Sequence, residues 1–320
     1  MTTTEIQALA ERKDAFILAH YYQPMDIQRI AGAVGDSFEL AKRATAAPQK
    51  TLIFCGVRFM AESAKLLSPD KTVVLPAADA GCPMADMVTP EDVRRLREKH
   101  PDAAVMAYVN TSAEVKAECD ICCTSSSAEQ VARSLREEEI IFLPDRNLGA
   151  YVAARAPEKR FILFEGHCPV HRRVAAADVR AAREARPGAR VLVHPECLPE
   201  VVALADGVGS TSWILREVEQ APPGGQFVIG TEAGVVERLR ETAPEQACFL
   251  LKAGFVCPNM KKTSLEDVAR ALNGKTPAVD LDGETMRRAR VPLERMMRAG
   301  GQAALSQESV PDKSERPCVR

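Results

Sequence analysis

One pattern occurs three times in this sequence of 320 residues, as GCPMADMVTPEDV (81–93), HCPVHRRVAAADV (167–179) and VCPNMKKTSLEDV (256–268). Each copy has a Cys-Pro pair followed, ten residues after the cysteine, by an Asp-Val pair. The cysteines Cys82, Cys168 and Cys257 are 86 and 89 residues apart. A fixed period of this length is typical of a chain built from repeated structural units.

Short apolar runs recur at matching distances around this pattern, and we interpret them as β-strands. The first strand of each unit is AFILAHYYQ (15–23), AAVMAYVN (103–110) or ARVLVHPE (189–196). The second is TLIFCGV (51–57), EEIIFLPD (138–145) or GQFVIGTE (225–232), and the third is KTVVLP (71–76), KRFILF (159–164) or ACFLLK (247–252). Helical segments separate the strands, and one of them contains each Asp-Val pair. Strands that alternate with helices predict parallel sheets with helices on their faces.

We therefore expect three pseudo-equivalent three-layer α/β/α domains with parallel sheets, arranged about a pseudo-threefold axis. The first repeat is expected to comprise residues 1–82 together with about 258–300. The second is expected to span 83–168 and the third 169–257. Residues 301–320 lose the periodicity, which predicts a polar C-terminal tail.

The composition is that of an ordinary globular protein, with 46% hydrophobic and 27% charged residues. A formal net charge of −2 gives no reason to expect nucleic acid or an anionic membrane as a partner. We find neither a membrane-spanning apolar stretch nor a signal peptide, so we expect a cytoplasmic protein. Thiols stay reduced in that compartment, so the ten cysteines are expected to bind metal or pack in the core.

Polar side chains stand where the first strand of each unit is predicted to end. They are His20, Tyr108 and His194 at one repeat position and Tyr22, Asn110 and Glu196 two residues later. Functional groups of parallel α/β sheets gather at these carboxyl ends. Two further matched sets follow, namely Asp36, Thr124 and Ser210, and then Ser37, Ser125 and Thr211. The second set is expected at helix starts, where hydroxyls and backbone N–H groups suit carboxylate or phosphate.

The three Cys-Pro cysteines, one in each repeat, are expected to meet on the pseudo-threefold axis. Three thiolates without a fourth equivalent cysteine suit a [4Fe–4S] cluster with one open iron. Such an iron is a Lewis acid, which predicts dehydration or condensation chemistry rather than electron transfer. Zinc is the main alternative, although structural zinc sites usually draw their ligands in close pairs.

Other cysteines and histidines of the chain admit two interpretations. Cys119 and Cys122 have redox or metal-ligand spacing, but with Cys123 they fall inside one repeat, which favours packing. His171 follows Cys168 by three residues and is expected to be either a support for that ligand or a core histidine.

The sequence closely resembles the quinolinate synthase A family, the NadA-type enzymes of NAD biosynthesis. The resemblance rests on AHYYQP (19–24), GDSFELA (35–41), CGVRFMAESAK (55–65), GCPMAD (81–86), YVNTSAEVKA (108–117), CCTSSSA (122–128), GHCPVH (166–171), HPEC (194–197), GSTS (209–212), GTE (230–232) and CPNMKK (257–262). It implies condensation of iminoaspartate with dihydroxyacetone phosphate to quinolinate, phosphate and two waters. It further implies that an aspartate oxidase or dehydrogenase supplies the unstable iminoaspartate.

The resemblance also implies roles for the residues that match these motifs. Cys82, Cys168 and Cys257 would hold the [4Fe–4S] cluster, as the repeat by itself predicts. Seven residues would bind carboxylate or phosphate, namely His20, Ser37, Asn110, Ser125, His194, Ser210 and Thr211. Tyr22, Tyr108 and Glu196 would transfer protons, with Glu196 the best candidate for a general base.

Two alternatives use the same thiols. An aconitase-like hydro-lyase would act on a hydroxy acid at the open iron and would need no phosphate site. A non-catalytic iron–sulfur sensor would tolerate Glu196→Gln and Tyr22→Phe without consequence.

Overall fold

The computed structural model describes residues 1–301, in which each unit alternates four helices with four strands. The first unit consists of α1 (Thr3–Arg12), β1 (Ala15–His20), α2 (Met25–Ile30), β2 (Ala33–Gly35), α3 (Ser37–Ala46), β3 (Thr51–Cys55), α4 (Arg58–Leu67) and β4 (Thr72–Val74). The second consists of α5 (Pro90–Lys99), β5 (Ala104–Tyr108), α6 (Ala113–Lys116), β6 (Ile121–Cys123), α7 (Ala128–Ser134), β7 (Glu139–Leu143), α8 (Arg146–Ala153) and β8 (Arg160–Leu163). The third consists of α9 (Ala176–Ala185), β9 (Arg190–Val193), α10 (Pro199–Val202), β10 (Gly207–Val208), α11 (Thr211–Glu219), β11 (Gln226–Gly230), α12 (Ala233–Thr242) and β12 (Ala247–Leu250). Two helices, α13 (Leu265–Leu272) and α14 (Gly283–Gly301), complete the described chain.

Each unit forms its own parallel sheet of four strands, and the strand order is the same in all three. The orders are β2-β1-β3-β4, β6-β5-β7-β8 and β10-β9-β11-β12. In the first sheet, for example, Ala19 of β1 pairs with Val34 of β2 and with Cys55 of β3. The predicted class, three α/β units with parallel sheets, is confirmed. Because all strands of a sheet run in one direction, their carboxyl ends lie along one edge.

Each sheet contains one strand more than the sequence predicted. The additional strand is the edge strand β2, β6 or β10, which has only two or three residues and follows a short helix. So few residues cannot display the alternation by which a strand is recognised in sequence. The pairing comes from the neighbouring strand, as between Tyr108 and Cys123.

Alternate residues of the central strands are buried on opposite faces of their sheet. In the third unit, Val191 and Val193 pack into one apolar cluster, whereas Leu192 packs into another on the other face. In the first unit, Leu18 and Ile17 are divided in the same way. Burial on both faces explains why these strands are continuous apolar runs in the sequence.

The helices that follow the Cys-Pro loops begin with related caps. Thr89 and Asp92 cap α5 reciprocally, and Ser264 and Asp267 do the same for α13. The Asp178 carboxylate accepts the backbone N–H of Ala175 at 2.8 Å at the start of α9. The aspartate of each repeated Asp-Val pair therefore serves as a helix cap, a local structural role.

The two last helices pack against different units. Helix α13 contacts α1 and β3 of the first unit, whereas α14 contacts α4 of the first unit and α6, β6 and α7 of the second. The division at residues 82, 168 and 257 stays a prediction. The predicted tail, 301–320, lies outside the described residues except for Gly301, the last residue of α14. Within residues 1–301 no helix combines the length and the apolar character needed to cross a membrane.

Candidate active site

A cavity of about 190 Å³ lies where polar residues from the carboxyl ends of all three sheets meet. All three predicted thiols and nine of the ten other predicted site residues line it, namely Cys82, Cys168, Cys257, His20, Tyr22, Ser37, Tyr108, Asn110, Ser125, His194, Glu196 and Thr211. These residues come from distant parts of the chain and from every unit. The repeat therefore brings together nearly the whole predicted site.

Ser210 and Ser125 differ from the prediction in position or in local structure. Ser210 does not line the cavity; its hydroxyl caps α11 by accepting the backbone N–H of Trp213 at 3.3 Å. Ser125 lines the cavity but does not start a helix, since α7 begins only at Ala128. The Thr124 backbone N–H donates to the Ser127 hydroxyl at 3.0 Å, and such side-chain bonds stabilise a turn instead of the helix start.

The three Cys-Pro loops present their sulfur atoms to the cavity in the same way. In each loop the backbone N–H of the third residue after the cysteine interacts with the sulfur; these residues are Ala85, His171 and Met260. Burial raises the pKa of all three thiols, that of Cys82 to about 12, and these N–H groups oppose the rise. Buried thiols of this kind ionise when a cationic group binds them, so the three loops suit a metal-containing group.

Two buried carboxylates hold the backbone of the second and third loops. Asp145 caps α8 and accepts the backbone N–H of Cys168 at 3.0 Å. Glu232 occupies the same position before α12 and accepts the backbone N–H of Cys257 at 3.3 Å. The first unit has Val57 at this helix cap, so the loop of Cys82 has no equivalent carboxylate.

The two carboxylates differ in the charged groups that lie beside them. The Lys261 ammonium lies 3.2 Å from Glu232 and donates to the backbone carbonyl of Tyr22 at 2.7 Å. Burial raises the pKa of Asp145, and the nearby Glu196 carboxylate adds to that rise. Lys261 therefore connects Glu232, which holds the loop of Cys257, with the loop that carries Tyr22.

Glu196 is the centre of a hydrogen-bond network that joins the second and third units. The Tyr108 hydroxyl donates to its Oε1 at 2.7 Å, and His171 Nδ1 lies 2.8 Å from its Oε2. His171 Nδ1 also lies 3.2 Å from the sulfur of Cys168. His171 therefore connects the predicted base with a predicted ligand, which supports the first of its two interpretations.

The protonation states in this network follow from burial and charge. Burial alone raises the pKa of Glu196, but the imidazoles of His171 and His194 and the bonds from His171 and Tyr108 hold it below its usual range. The pKa of Tyr108 is raised, first by burial and then by the charge of Glu196. At neutral pH the cavity thus contains a carboxylate that accepts protons beside a phenol that can donate one.

Tyr22 takes part in a second network that joins the first and third units. Its hydroxyl lies 2.7 Å from the Thr231 hydroxyl and 3.0 Å from the Thr211 hydroxyl. Thr231 in turn lies 3.0 Å from His171 Nε2, so the two networks are continuous. Burial and the charge of Glu196 raise the pKa of Tyr22, which keeps the phenol protonated.

Neutral imidazoles and helix N-termini form the rest of the polar wall. Burial lowers the pKa of His20 to about 3 and that of His194 to about 4, so both are uncharged near pH 7. Ser37 and Thr211 are the first residues of α3 and α11. The N-terminus of α11, capped by a neutral hydroxyl, favours an anion, whereas the Asp36 carboxylate already accepts the N–H groups of Phe38 and Glu39 in α3. Asn110 Oδ1 is buried and has no hydrogen-bond partner among residues 1–301. A donor on a bound molecule would satisfy it.

Sequence reasoning assigned no role to Asp145, Thr231 or Glu232. Two of them were visible as the acids that end the predicted second strands, FLPD and IGTE, but an acid after a strand is common. Cys119, Cys122 and Cys123, by contrast, are buried in the apolar core and do not line the cavity, which agrees with their packing interpretation.

The cavity contains a group that can bind metal, because ligand atoms of Cys168, His171 and Glu196 all lie within 4.8 Å of one another. Fold and site together define an α/β enzyme whose centre combines thiols, a carboxylate and an anion-binding helix start. Residues 4–298 match the family described as Quinolinate synthetase A protein (NadA).

Relatives named quinolinate synthase match over most of their length. That of Methanoregula boonei is 54% identical, over 92% of this chain and 96% of its own. That of Caldicellulosiruptor bescii is 48% identical, over 92% and 97% respectively. That of Geobacter sp. strain M21 is 47% identical, over 92% and 96%. The chain belongs to the quinolinate synthetase A family.

Proposed function

We propose that this protein is a quinolinate synthase, a transferase that condenses iminoaspartate with dihydroxyacetone phosphate to form quinolinate, phosphate and water in NAD biosynthesis. The observation that carries the proposal is the cavity, in which three thiols, Glu196, two tyrosines and two helix N-termini come together. The reaction joins an imine with two carboxylates to a phosphate ester. It therefore needs sites for several anions and groups that move protons, and the cavity offers both.

Cys82, Cys168 and Cys257 are proposed to hold a [4Fe–4S] cluster. Their fit rests on three buried thiols, each with a backbone N–H directed to sulfur from the third residue of its loop. The bound cluster supplies one open iron, which acts as a Lewis acid toward a carboxylate, a hydroxyl or an imine nitrogen. Zinc remains the alternative that metal analysis has to exclude.

The polar wall is proposed to bind the anionic groups of the substrates. The residues in this role are His20, Ser37, Asn110, Ser125, His194, Ser210 and Thr211. Thr211 stands at the N-terminus of α11, so its anion-binding role is supported by geometry. The unpartnered Oδ1 of Asn110 is an acceptor, so it would take a donor from a substrate and not an anion. Ser210 would act from outside the cavity lining, through the start of α11 that it caps.

Glu196, Tyr108 and Tyr22 are proposed to move the protons. Glu196 is ionised and accepts a proton while substrate carbon–carbon and carbon–nitrogen bonds form. Entry of anionic substrates raises its proton affinity, because like charges favour the neutral acid. The protonated phenols of Tyr22 and Tyr108 can then donate to a departing hydroxyl, which leaves as water.

The supply of iminoaspartate is proposed to come from an aspartate oxidase or dehydrogenase, since the imine hydrolyses readily in water. The cytoplasmic location stays a prediction.

Anaerobic quinolinate formation tests the function directly. We expect iron-loaded protein to form quinolinate only when both iminoaspartate and dihydroxyacetone phosphate are present. Tyr22→Phe is expected to lower kcat by about 10²-fold, because the phenyl ring keeps the packing but cannot donate a proton. Product is measured by chromatography.

The same assay separates the alternatives. Dehydration of hydroxy acids without affinity for dihydroxyacetone phosphate would identify an aconitase-like hydro-lyase. No turnover of either substrate by the wild type, with the iron content unchanged in Tyr22→Phe, would favour a sensor.

Asp145→Ala tests the support of the second cysteine loop. The variant leaves the backbone N–H of Cys168 without its acceptor, so we expect iron to be lost to a chelator about 10-fold faster or more. Thr89→Ala is the matched control, because it removes an exposed helix cap that lies outside the cavity. The control should lose about 1 kcal/mol of folding free energy with unchanged iron loss. Equal iron retention in both variants would contradict this role of Asp145.

A further inference from the structure

We propose that Gln28 and Lys116 are equivalent positioning residues that fix Tyr22 and Asn110 on the cavity wall. Each holds the two backbone carbonyls that flank its site residue. The proposal rests on the proposed function for its consequence in catalysis, but the contacts themselves are independent of it.

In the first unit, the side chain of Gln28 bridges the residues on either side of Tyr22. Its Nε2 donates to the carbonyl of Tyr21 at 2.9 Å and to that of Gln23 at 3.0 Å. Gln28 is buried on the short helix α2. The carbonyls before and after Tyr22 are thus fixed to one amide group.

In the second unit, the ammonium of Lys116 bridges the residues on either side of Asn110. It donates to the carbonyl of Val109 at 2.8 Å and to that of Thr111. Lys116 is fully buried at the end of the short helix α6. Burial of a lysine is costly unless its donors are bonded, and two backbone carbonyls meet that need here.

The two contacts occupy the same place in the repeat. Gln28 follows His20 by eight residues, and Lys116 follows Tyr108 by eight residues. An amide in one unit and an ammonium in the other make the same pair of bonds. Gln28 and Lys116 share a buried N–H donor that bridges two backbone carbonyls. The positive charge of Lys116 is not needed for these bonds, because the amide of Gln28 is neutral.

The third unit fixes its site residue differently. The equivalent position is Val202, which has no polar side-chain atom. The Glu196 carbonyl accepts instead the Asn147 side chain at 3.0 Å, and its carboxylate is bonded by Tyr108. Glu196 is therefore held by the second unit, whereas Tyr22 and Asn110 are held within their own units.

The ammonium of Lys116 lies among groups of the first and second units, near the cavity wall. Its ammonium lies 5.7 Å from the centre of the Phe59 ring, and Phe59 lines the cavity. Burial lowers the pKa of Lys116, and the nearby Cys122 and Glu62 groups oppose that change. Glu62 in turn accepts the backbone N–H of Ala113 at 3.1 Å. Lys116 itself does not line the cavity, so we expect its effect to pass through the loop of Asn110, to which it is hydrogen-bonded.

Paired variants of Lys116 test the proposal in the iron-loaded enzyme. Lys116→Met keeps the volume but removes the donors, so we expect kcat/KM to fall by up to about 10²-fold as Asn110 moves. Lys116→Gln should restore activity, because glutamine makes the same bonds in the first unit. Iron content should be the same in both variants.

A double-mutant cycle separates positioning from general stability. If Lys116 acts through Asn110, Lys116→Met should cost little more in the Asn110→Ala background than Asn110→Ala costs alone. If Lys116→Met acts only through overall stability, the two losses in kcat/KM should multiply in the double variant. If Lys116→Met does not fold, Gln28→Leu with Tyr22→Phe provides the equivalent cycle in the first unit.

Hydrogen–deuterium exchange of residues 109–112 gives a readout that needs no turnover. We expect faster exchange there in Lys116→Met and wild-type protection in Lys116→Gln. If the wild type forms no quinolinate while exchange responds in this way, the proposed function fails and the positioning role stands. Unchanged exchange in Lys116→Met, losses that multiply in the cycle, or no recovery in Lys116→Gln would overturn the positioning role.

Discussion

Cys168→Ser is expected to leave the anaerobically purified protein without iron and without quinolinate formation. The wild type should be brown and contain about four irons per chain. A serine hydroxyl does not ionise near neutral pH, so one of the three protein ligands is lost. Cys82→Ser and Cys257→Ser should have the same effect, because the repeat makes the three thiols equivalent. Iron and acid-labile sulfide analysis, with the visible absorption spectrum, measure the result.

A thiol elsewhere in the same unit as Cys257 provides the control. Cys248 is buried on β12 and does not line the cavity, so Cys248→Ala should keep the iron and the colour. Intact iron in Cys168→Ser would contradict the ligand assignment. One zinc per chain in the wild type would show that the three thiols bind zinc and not an iron–sulfur cluster.

Glu196→Gln is expected to lower kcat by about 10²- to 10⁴-fold while the iron content stays that of the wild type. The amide keeps the shape of the side chain and can still accept the Tyr108 hydroxyl at its oxygen. It cannot accept a proton from substrate, and it removes the charge that faces His171 at 2.8 Å. Steady-state rates at saturating substrate, with iron analysis of the same sample, separate lost chemistry from lost cofactor.

A similar tyrosine–glutamate pair outside the cavity provides the control. The Tyr21 hydroxyl donates to Glu39 Oε2 at 3.2 Å, and neither residue lines the cavity. Glu39→Gln should therefore leave kcat unchanged. A Glu196→Gln enzyme with wild-type kcat would exclude Glu196 as the general base.

The repeat made most of the site predictable. His20, Tyr108 and His194 were placed by their equal distance from the end of a predicted strand, and the structure puts all three on the cavity wall. Such a prediction needs only the period and the direction of parallel strands. The edge strands β2, β6 and β10 could not be predicted in this way, because two or three residues show no period.

Contacts between the loops around the cavity were not predictable. His171 was left with two interpretations, and only the structure places its ring between Cys168 and Glu196. Thr231 received no role, yet it joins Tyr22 to His171. These contacts depend on how the loops around the cavity pack against one another, which no spacing along the chain records.

The neighbouring residues Ser210 and Thr211 show most clearly what the sequence determines and what the tertiary structure decides. The sequence by itself determined that Ser210 and Thr211 stand at the start of a helix after the first strand of the third unit. That position does not say which of the two residues faces the cavity, since both members of the equivalent pair Asp36 and Ser37 line it. The tertiary structure decided that Thr211 faces it, while Ser210 caps the helix. Local order along the chain determined the elements and the three thiols, whereas the packing of the units decided which side chains meet.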